Sequence, residues 1–500
     1  MTLFGFVCYN TMTTTSNLKK KAVSGIIWTS IQRFSQIFVS FISGIILARL
    51  LDPEDFGCIG MLSIFMLVST AFIDGGFGSA LIQKKRPTQE DYSTVFFWNL
   101  GISIVIYLLL FICAPVIADF FHVPLLSNVL RVQGVVLIIN ALQTVQANQL
   151  NKQFRFKKIA IVLTFSSVVS LIVTILLAYH GWGVWSLVTQ NLLLVLIPTT
   201  IYWTTNKWFP KLVFSIKSFK ELFGFGFYML LTSLVSTIVN NIQGLLIGRI
   251  YNPTMMGYYS KAHSTEVLAS NTISQVVSQV TYPLYSELQD NKGMMTNALK
   301  KITTLIAFFT FPLMFLLILL AKPVFIFLYS EKWLDSVPYF QMLCLAGLAI
   351  CLQSVNSQTI AAIGKSKVMF RWGLFKQLVG VTFVIIGLLI YGIKGLLIGM
   401  IIKSWFIYIV NAFLVHKYIG YKILTQLQNL APVMAVSVLS FTFAFFVGRI
   451  ISDINMYIVA MIELLMFALF YLGLSFFFRL EAVTYVKDTM PVVSFTKRFK

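Results

Sequence analysis

The sequence predicts an all-α integral membrane protein: about 14 transmembrane helices, in two parallel six-helix lobes followed by a C-terminal helix pair. Three observations predict it. The chain is 58% hydrophobic and only 11% charged, with a mean hydropathy of +0.84, a composition that excludes a soluble fold. Its lysines and arginines collect on alternate loops. A short motif also recurs 200 residues apart, at the same kind of place each time.

The apolar stretches long enough to span a bilayer, roughly 20 residues each, fall near 25–48, 58–82, 93–117, 127–149, 159–179, 184–204, 222–248, 258–286, 302–320, 336–360, 372–391, 395–415, 430–449 and 456–478. Backbone polar groups in hydrocarbon must be satisfied within their own segment, so each stretch reads as a helix. The eighth is interrupted throughout by Ser, Thr, Asn and Gln, the composition of a helix facing a cavity inside a bundle rather than lipid. Residues 322–333 are too short to span and are expected to lie in the outer interface.

The net charge of +21 does not mark a nucleic-acid partner, because of how it is distributed. One set of alternate loops holds Lys19–Lys21, Lys84–Arg86, Lys152 to Lys158, Lys207 to Lys220, Lys300–Lys301, Lys365 to Arg371, and Lys417 with Lys422. The opposite set is poor in cations and carries the acidic turn Asp52, Glu54 and Asp55. This positive-inside pattern places both termini in the cytoplasm, which requires an even number of spans.

The recurring motif is Gly44-Ile-Ile-Leu-Ala-Arg49-Leu-Leu-Asp-Pro53-Glu-Asp-Phe-Gly57 and Gly244-Leu-Leu-Ile-Gly-Arg249-Ile-Tyr-Asn-Pro253-Thr-Met-Met-Gly257. Each copy reads as a helix end, a turn with proline, and the start of the next helix. Further along, the offset settles near 208 to 209, pairing Pro115 with Pro323, Ser127 with Ser336, Gln149 with Gln358, Lys158 with Lys367 and Gly183 with Gly392. Helices 1 and 7 both start on the basic side, so the halves are parallel copies about an axis along the membrane normal. A duplicated bundle of this kind is a usual build of secondary transporters, with the site between the repeats.

The expected organisation is a cytoplasmic tail over 1–22, a first lobe over 23–204, a linker over 205–220, a second lobe over 221–415, an appended pair over 416–479 and a tail over 480–500. Met12 would be an ordinary start, so residues 1–11 read as a disordered tail or a product of start-codon choice. The five cysteines imply no disulfide framework, being an odd number placed mostly in or beside spans. Gly364-Lys365-Ser366 lacks the leading glycine of a phosphate-binding loop, since position 359 is Thr, and reads as a basic turn. No His, Cys or Glu cluster has metal-ligand spacing, and no cofactor is expected beyond a coupling H+ or Na+.

Charges inside the spans are the informative residues, because each costs roughly 2.5–3.5 kcal/mol at a helix centre on insertion scales. Arg33 and Asp74 each lie about eight residues from the basic end of helices 1 and 2, or about 12 Å deep at the helical rise. They read either as an anion contact and a cation-coupling carboxylate or as an ion pair joining two helices. Lys261 opens the polar eighth helix, and Lys403 lies at mid-depth in the twelfth; both are candidate substrate contacts. Lys376 and Arg131 lie close enough to helix ends to snorkel, and Glu463 reads as structural or lipid-facing. Arg49 and Arg249 close the outer ends of helices 1 and 7, as gate residues or as cations at helix C-termini. The interior thus holds more cation than carboxylate, which favours an anionic substrate.

Three segments carry a family resemblance: Ala48-Arg49-Leu-Leu-Asp-Pro53-Glu54-Asp55-Phe56-Gly57, Asp74-Gly-Gly-Phe-Gly78-Ser-Ala80-Leu-Ile-Gln83, and Gly181-Trp-Gly183-Val-Trp185-Ser-Leu. With Tyr329-Ser-Glu331-Lys332-Trp333, they resemble the polysaccharide-transporter (Wzx-type oligosaccharide flippase) branch of the multidrug/oligosaccharidyl-lipid/polysaccharide superfamily. The resemblance covers essentially the whole chain. It implies a two-lobe, alternating-access exporter that flips undecaprenyl-pyrophosphate-linked sugar units across the bacterial inner membrane. It also implies a cation site in the first lobe, which suits Asp74. The expected partners are a lipid-linked oligosaccharide and membrane lipids, with polysaccharide polymerase and chain-length machinery as candidate protein partners and no nucleic acid. Two alternatives stand beside this reading: a cation-coupled multidrug exporter of the same fold, and a membrane-embedded polysaccharide polymerase or ligase. The basic bias of the spans argues against the first, and the lack of a long outer loop argues against the second.

Overall fold

The computed structural model describes residues 3–489, and among them the chain is helical with no strand. The helices are α1 (Leu3–Leu50), α2 (Pro53–Asp74), α3 (Phe77–Gln83), α4 (Gln89–Phe121), α5 (Leu125–Gln133), α6 (Val135–Lys152), α7 (Phe156–Tyr179), α8 (Val184–Thr205), α9 (Ile216–Ile250), α10 (Pro253–Leu288), α11 (Lys292–Leu319), α12 (Ala321–Tyr329), α13 (Val337–Ala362), α14 (Ser366–Ile419), α15 (Ile423–Ile450), α16 (Met456–Phe477) and α17 (Glu481–Thr489). A 3₁₀ turn, Glu331–Ser336, joins α12 to α13. The chain forms two compact units, residues 1–257 and 258–500. The non-helical stretch between α8 and α9 falls within the expected 205–220 linker and lies inside the first unit, where α9 packs on α2, α3 and α4.

Twelve described helical stretches are long and apolar enough to cross a membrane, against about fourteen expected. Two features account for the difference. The 36-residue α10 is long enough but carries the polar side chains already noted, so composition does not pass it. The 54-residue α14 is a helical hairpin, since its backbone leaves helical geometry at Tyr391 and Gly392. Its arms meet so closely that a Cβ on Gly387 would stand 2.1 Å from the Gly395 carbonyl oxygen.

Local sequence explains the boundaries. Pro53 and Pro253 each open a helix, where proline's missing N–H is one of the donors that lack a helical partner anyway. Thr88 caps α4: its hydroxyl accepts the Asp91 N–H at 3.2 Å, and the Asp91 carboxylate accepts the Thr88 N–H at 2.8 Å. Asn291 caps α11 by accepting the Met294 N–H at 3.0 Å. Gly183, before α8, has φ 52° and ψ −130°, and Gly392, its counterpart in the repeat, has φ 60° and ψ −142°. That region is essentially closed to residues with a Cβ, so the two halves turn alike because both kept glycine there.

In the first unit, α1 packs on α7, α7 on α8, and α6 on α4 and α8. In the second, α13 packs on α11 and α14, and α15 on α11 and α16. The start of the expected C-terminal tail forms α17, held to α11 by Lys300 and Glu481 at 2.8 Å; residues 490–500 lie outside the described residues.

Candidate functional site

The two copies of the repeated turn meet inside the first unit. A Cβ on Gly57 would stand 1.8 Å from the Pro253 carbonyl oxygen, and a Cβ on Gly257 would stand 1.8 Å from the Pro53 carbonyl oxygen. The contact is reciprocal: each glycine sits on the other copy's proline, as in a two-fold interface. Both neighbours are backbone, so no side chain can move aside. Only glycine permits the approach.

The cations beside this contact close helix ends. Arg49 and Arg249 stand in the last turns of α1 and α9, where the helix dipole favours positive charge. Arg249 also contacts the His122 ring and lies over Phe120 at 5.1 Å, fastening α9 to the end of α4.

At the other end of α2 the chain breaks where the sequence predicted one continuous helix. Gly75 and Gly76 both have positive φ, and α3 starts at Phe77. The Asp74 carboxylate lies at the start of α3, where a Cβ on Gly78 would stand 3.0 Å from Asp74 Oδ1 and the helix dipole favours negative charge. Lys152 secures the opposite end of α3, donating to the carbonyls of Leu81 at 2.9 Å and Ile82 at 3.2 Å and to that of Lys84. The α9 backbone crosses this turn, where a Cβ on Gly226 would stand 2.6 Å from the Gly75 carbonyl oxygen. Arg33 and Asp74 are both exposed and form no ion pair with each other, so the helix-joining pair is not present.

Among the described residues, the ion pairs of the first unit centre instead on Lys84, in the basic connection between α3 and α4. Lys84 bonds Asp91 at 3.1 Å and Glu221 at 3.0 Å. Burial opposes the Lys84 charge, but hydrogen bonds to Glu221 and Asp91 outweigh it and hold its pKa above the ordinary lysine value.

In the second unit, Lys261 is only 5% exposed. Its ammonium lies 4.1 Å from the centre of the Tyr329 ring and 5.6 Å from that of Trp333. The segment expected at the outer interface therefore builds an aromatic cage around a buried lysine. One turn further along α10, Glu266 is 2% exposed and packs against Gly347. Lys403 is half-buried; its methylenes lie over Gly380, and its ammonium has no hydrogen-bond or ion-pair partner among the described residues. Lys376 donates to Asn411 at 2.6 Å, and Arg131 lies 4.7 Å over Phe111. The Glu463 carboxyl lies against Gly448 of α15, a contact between the appended helices.

The spans thus present cations held by aromatics, carbonyls and small residues, with few carboxylates among them. A helical chain with twelve described stretches of membrane-spanning length and a recurring helix–turn–helix motif fits the class to which the sequence motifs pointed. Residues 46–338 match the family model described as "Polysaccharide biosynthesis protein", and the chain belongs to that family. It is 25% identical over 358 residues to the teichuronic acid biosynthesis protein TuaB of Bacillus subtilis (strain 168), covering 71% of this chain and 74% of that protein. It is 21% identical over 392 residues to the lipopolysaccharide biosynthesis protein WzxC of Escherichia coli (strain K12), covering 77% and 79%. Among solved structures, the lipid II flippase MurJ in an inward closed conformation matches with a TM-score of 0.75 at 19% identity, over 91% of this chain and 99% of that one. An inward-facing multidrug resistance MATE transporter matches with a TM-score of 0.61 at 20% identity, over 79% and 98%.

Proposed function

We propose that the protein flips a lipid-linked oligosaccharide, an undecaprenyl-pyrophosphate-linked repeat unit, across the bacterial inner membrane for surface polysaccharide synthesis. Both termini lie in the cytoplasm, following the bias of basic residues to alternate loops. The observation that carries the mechanism is the reciprocal packing of Gly57 on Pro253 and Gly257 on Pro53. An alternating-access transporter needs a closure that two repeats can make and break as rigid bodies, and a glycine–proline backbone contact adds no side-chain interlock to that closure.

The sign of the substrate follows from Arg33 and Lys403, which have no partner in the protein among the described residues. A pyrophosphate brings the charge that such cations lack, and the attraction is far stronger away from bulk water. Lys261, already held by Tyr329 and Trp333, contributes less. Asp74 supplies the cation-coupled charge of the first lobe, for H+ or Na+, from its place beside Gly78 at the start of α3. The same excess of cations disfavours a cationic drug as cargo.

The test is flipping of a lipid-linked oligosaccharide by purified protein in vesicles, read as the fraction reaching the opposite leaflet. Wild-type protein accelerates flipping over protein-free vesicles, and Arg33→Ala and Lys403→Ala each slow it, with Arg33→Lys retaining part. Folded protein that produces no acceleration contradicts the proposed function; equal rates in the alanine variants contradict the role of the cations.

A further inference from the structure

At the basic end of the first unit, a cavity of about 610 Å³ opens between the start of α4, the α6–α7 connection and the segment after α8. It lies away from the repeated turn and contains none of the residues assigned above to transport. Its lining holds two cations, Arg155 and Lys207, and no carboxylate. Beside them stand the amides of Gln149, Gln153 and Asn206 and the indole of Trp208. Gln149 is only 6% exposed and Asn206 only 9%, yet neither side-chain amide makes a hydrogen bond within the protein among the described residues. Both amides therefore open onto the cavity, where a ligand can reach them. An amide offers both donors and an acceptor, the complement of a hydroxyl, and paired cations are the complement of a phosphate.

The wall is fixed independently of any ligand. The Trp208 indole N–H donates to Gln89 Oε1 at 2.6 Å, and Gln89 Nε2 donates to the Phe209 carbonyl at 2.8 Å. The Lys211 and Ser215 N–H groups donate to the hydroxyls of Ser93 and Thr94, both at 3.0 Å. Four bonds therefore tie the segment after α8 onto the first turns of α4. A wall already ordered loses little freedom on binding.

We propose that this cavity binds a phosphorylated polyol headgroup, with Arg155 and Lys207 taking the phosphate and Gln149, Gln153 and Asn206 the hydroxyls beside Trp208. Two sources carry that chemistry, the sugar-phosphate end of a glycolipid and the glycerol-phosphate end of a phospholipid. The inference stands on the cavity alone and does not depend on transport.

The test titrates glucose 1-phosphate, glycerol 3-phosphate and inorganic phosphate into the full chain in phosphatidylcholine nanodiscs, read by calorimetry. At least one of the two polyol phosphates binds more tightly than inorganic phosphate. A preference for glucose 1-phosphate assigns the site to a glycolipid headgroup, and a preference for glycerol 3-phosphate to a phospholipid headgroup. The double variant Arg155→Gln, Lys207→Gln weakens either by about tenfold or more. Gln149→Leu weakens the polyol phosphate but leaves inorganic phosphate unchanged. Should Gln149→Leu fail to fold, the double variant, whose two side chains are exposed, carries the test. The proposal is overturned if none of the three binds up to millimolar concentration, if inorganic phosphate binds as tightly as both polyol phosphates, or if the folded double variant binds them as wild type does.

Discussion

The helices that follow the two repeated turns begin alike and end differently. Both α2 and α10 open on proline, at Pro53 and Pro253, and both carry a glycine four residues on that rests on the other copy. Beyond that point they part. Met61 and Met66 are buried in α2, whereas their counterparts at an offset of 200 in α10 are the buried Lys261 and Glu266. At the far end the relation reverses: Asp74 stands in the first copy and Ser274 in the second. The first copy breaks at Gly75-Gly76 to form α3, while the second runs on for 36 residues. Two copies of one helix have kept the residues of their mutual contact and exchanged the positions of their charges. The mutual contact is thus common to both repeats, while charge is specialised to each.

The largest effect is expected at the shared contact. Gly57→Ala and Gly257→Ala each drive a methyl into a backbone carbonyl, an overpacking cost of about 1–3 kcal/mol on the closed arrangement. Flipping should fall about tenfold or more for either, with folded protein retained in the membrane. Closely matched effects support the reciprocal contact; a loss at only one of the two breaks the comparison.

Next comes the charge peculiar to the first copy. Asp74→Asn keeps an oxygen at the start of α3 but removes the negative charge. It should cut flipping about tenfold while moving stability by less than about 1 kcal/mol, the size of a charge at a helix terminus. Flipping at the wild-type rate would leave Asp74 no part in coupling, and loss of folded protein would make it structural.

The charges peculiar to the second copy come third. Lys261→Ala removes a desolvated cation from two rings and should lower stability by about 2 kcal/mol. Lys261→Met installs the residue that the first copy has at Met61 and should be close to neutral, because a well-packed apolar side chain commonly replaces a buried charge without loss. Thermal unfolding of the two variants separates these outcomes. A deep loss of flipping in a stable Lys261→Met protein would show that the lysine touches substrate after all.

The smallest effect concerns α3. Lys152→Met removes the cation from three carbonyls at its C-terminus and should cost about 0.3–1 kcal/mol, with flipping little changed.

How much of this was legible in the sequence depended on the kind of constraint. Pro53 with Gly57, Pro253 with Gly257, and Gly183 with Gly392 were visible because backbone geometry accepts few residue types, so the letters themselves persist at a fixed offset. The helices were visible because hydrocarbon leaves the backbone little choice. The polar α10 and the hairpin in α14 made the number of spans harder to read, since an intrusive Ser or Gln and a short Tyr391-Gly392 turn both weaken a hydropathy signal. The break between α2 and α3 was obscured, because Asp-Gly-Gly interrupts an otherwise apolar run without proline. The cage around Lys261 was not legible at all: Tyr329 and Trp333 lie some 70 residues away in sequence, and only packing brings them together. The cavity around Gln149 draws on three separate connections, none of which carries a motif.

Opening of the contact between the two repeated turns during transport is the step on which the proposed mechanism rests. Spin labels placed by Glu54→Cys and Thr254→Cys, equivalent positions one residue after each proline, report it directly through pulsed dipolar distances in vesicles. Such a closure predicts a short-distance population in the resting protein and growth of a longer one when lipid-linked oligosaccharide is added. It also predicts that Gly57→Ala favours the longer population without substrate. A single distance that neither substrate nor Gly57→Ala alters would contradict the account.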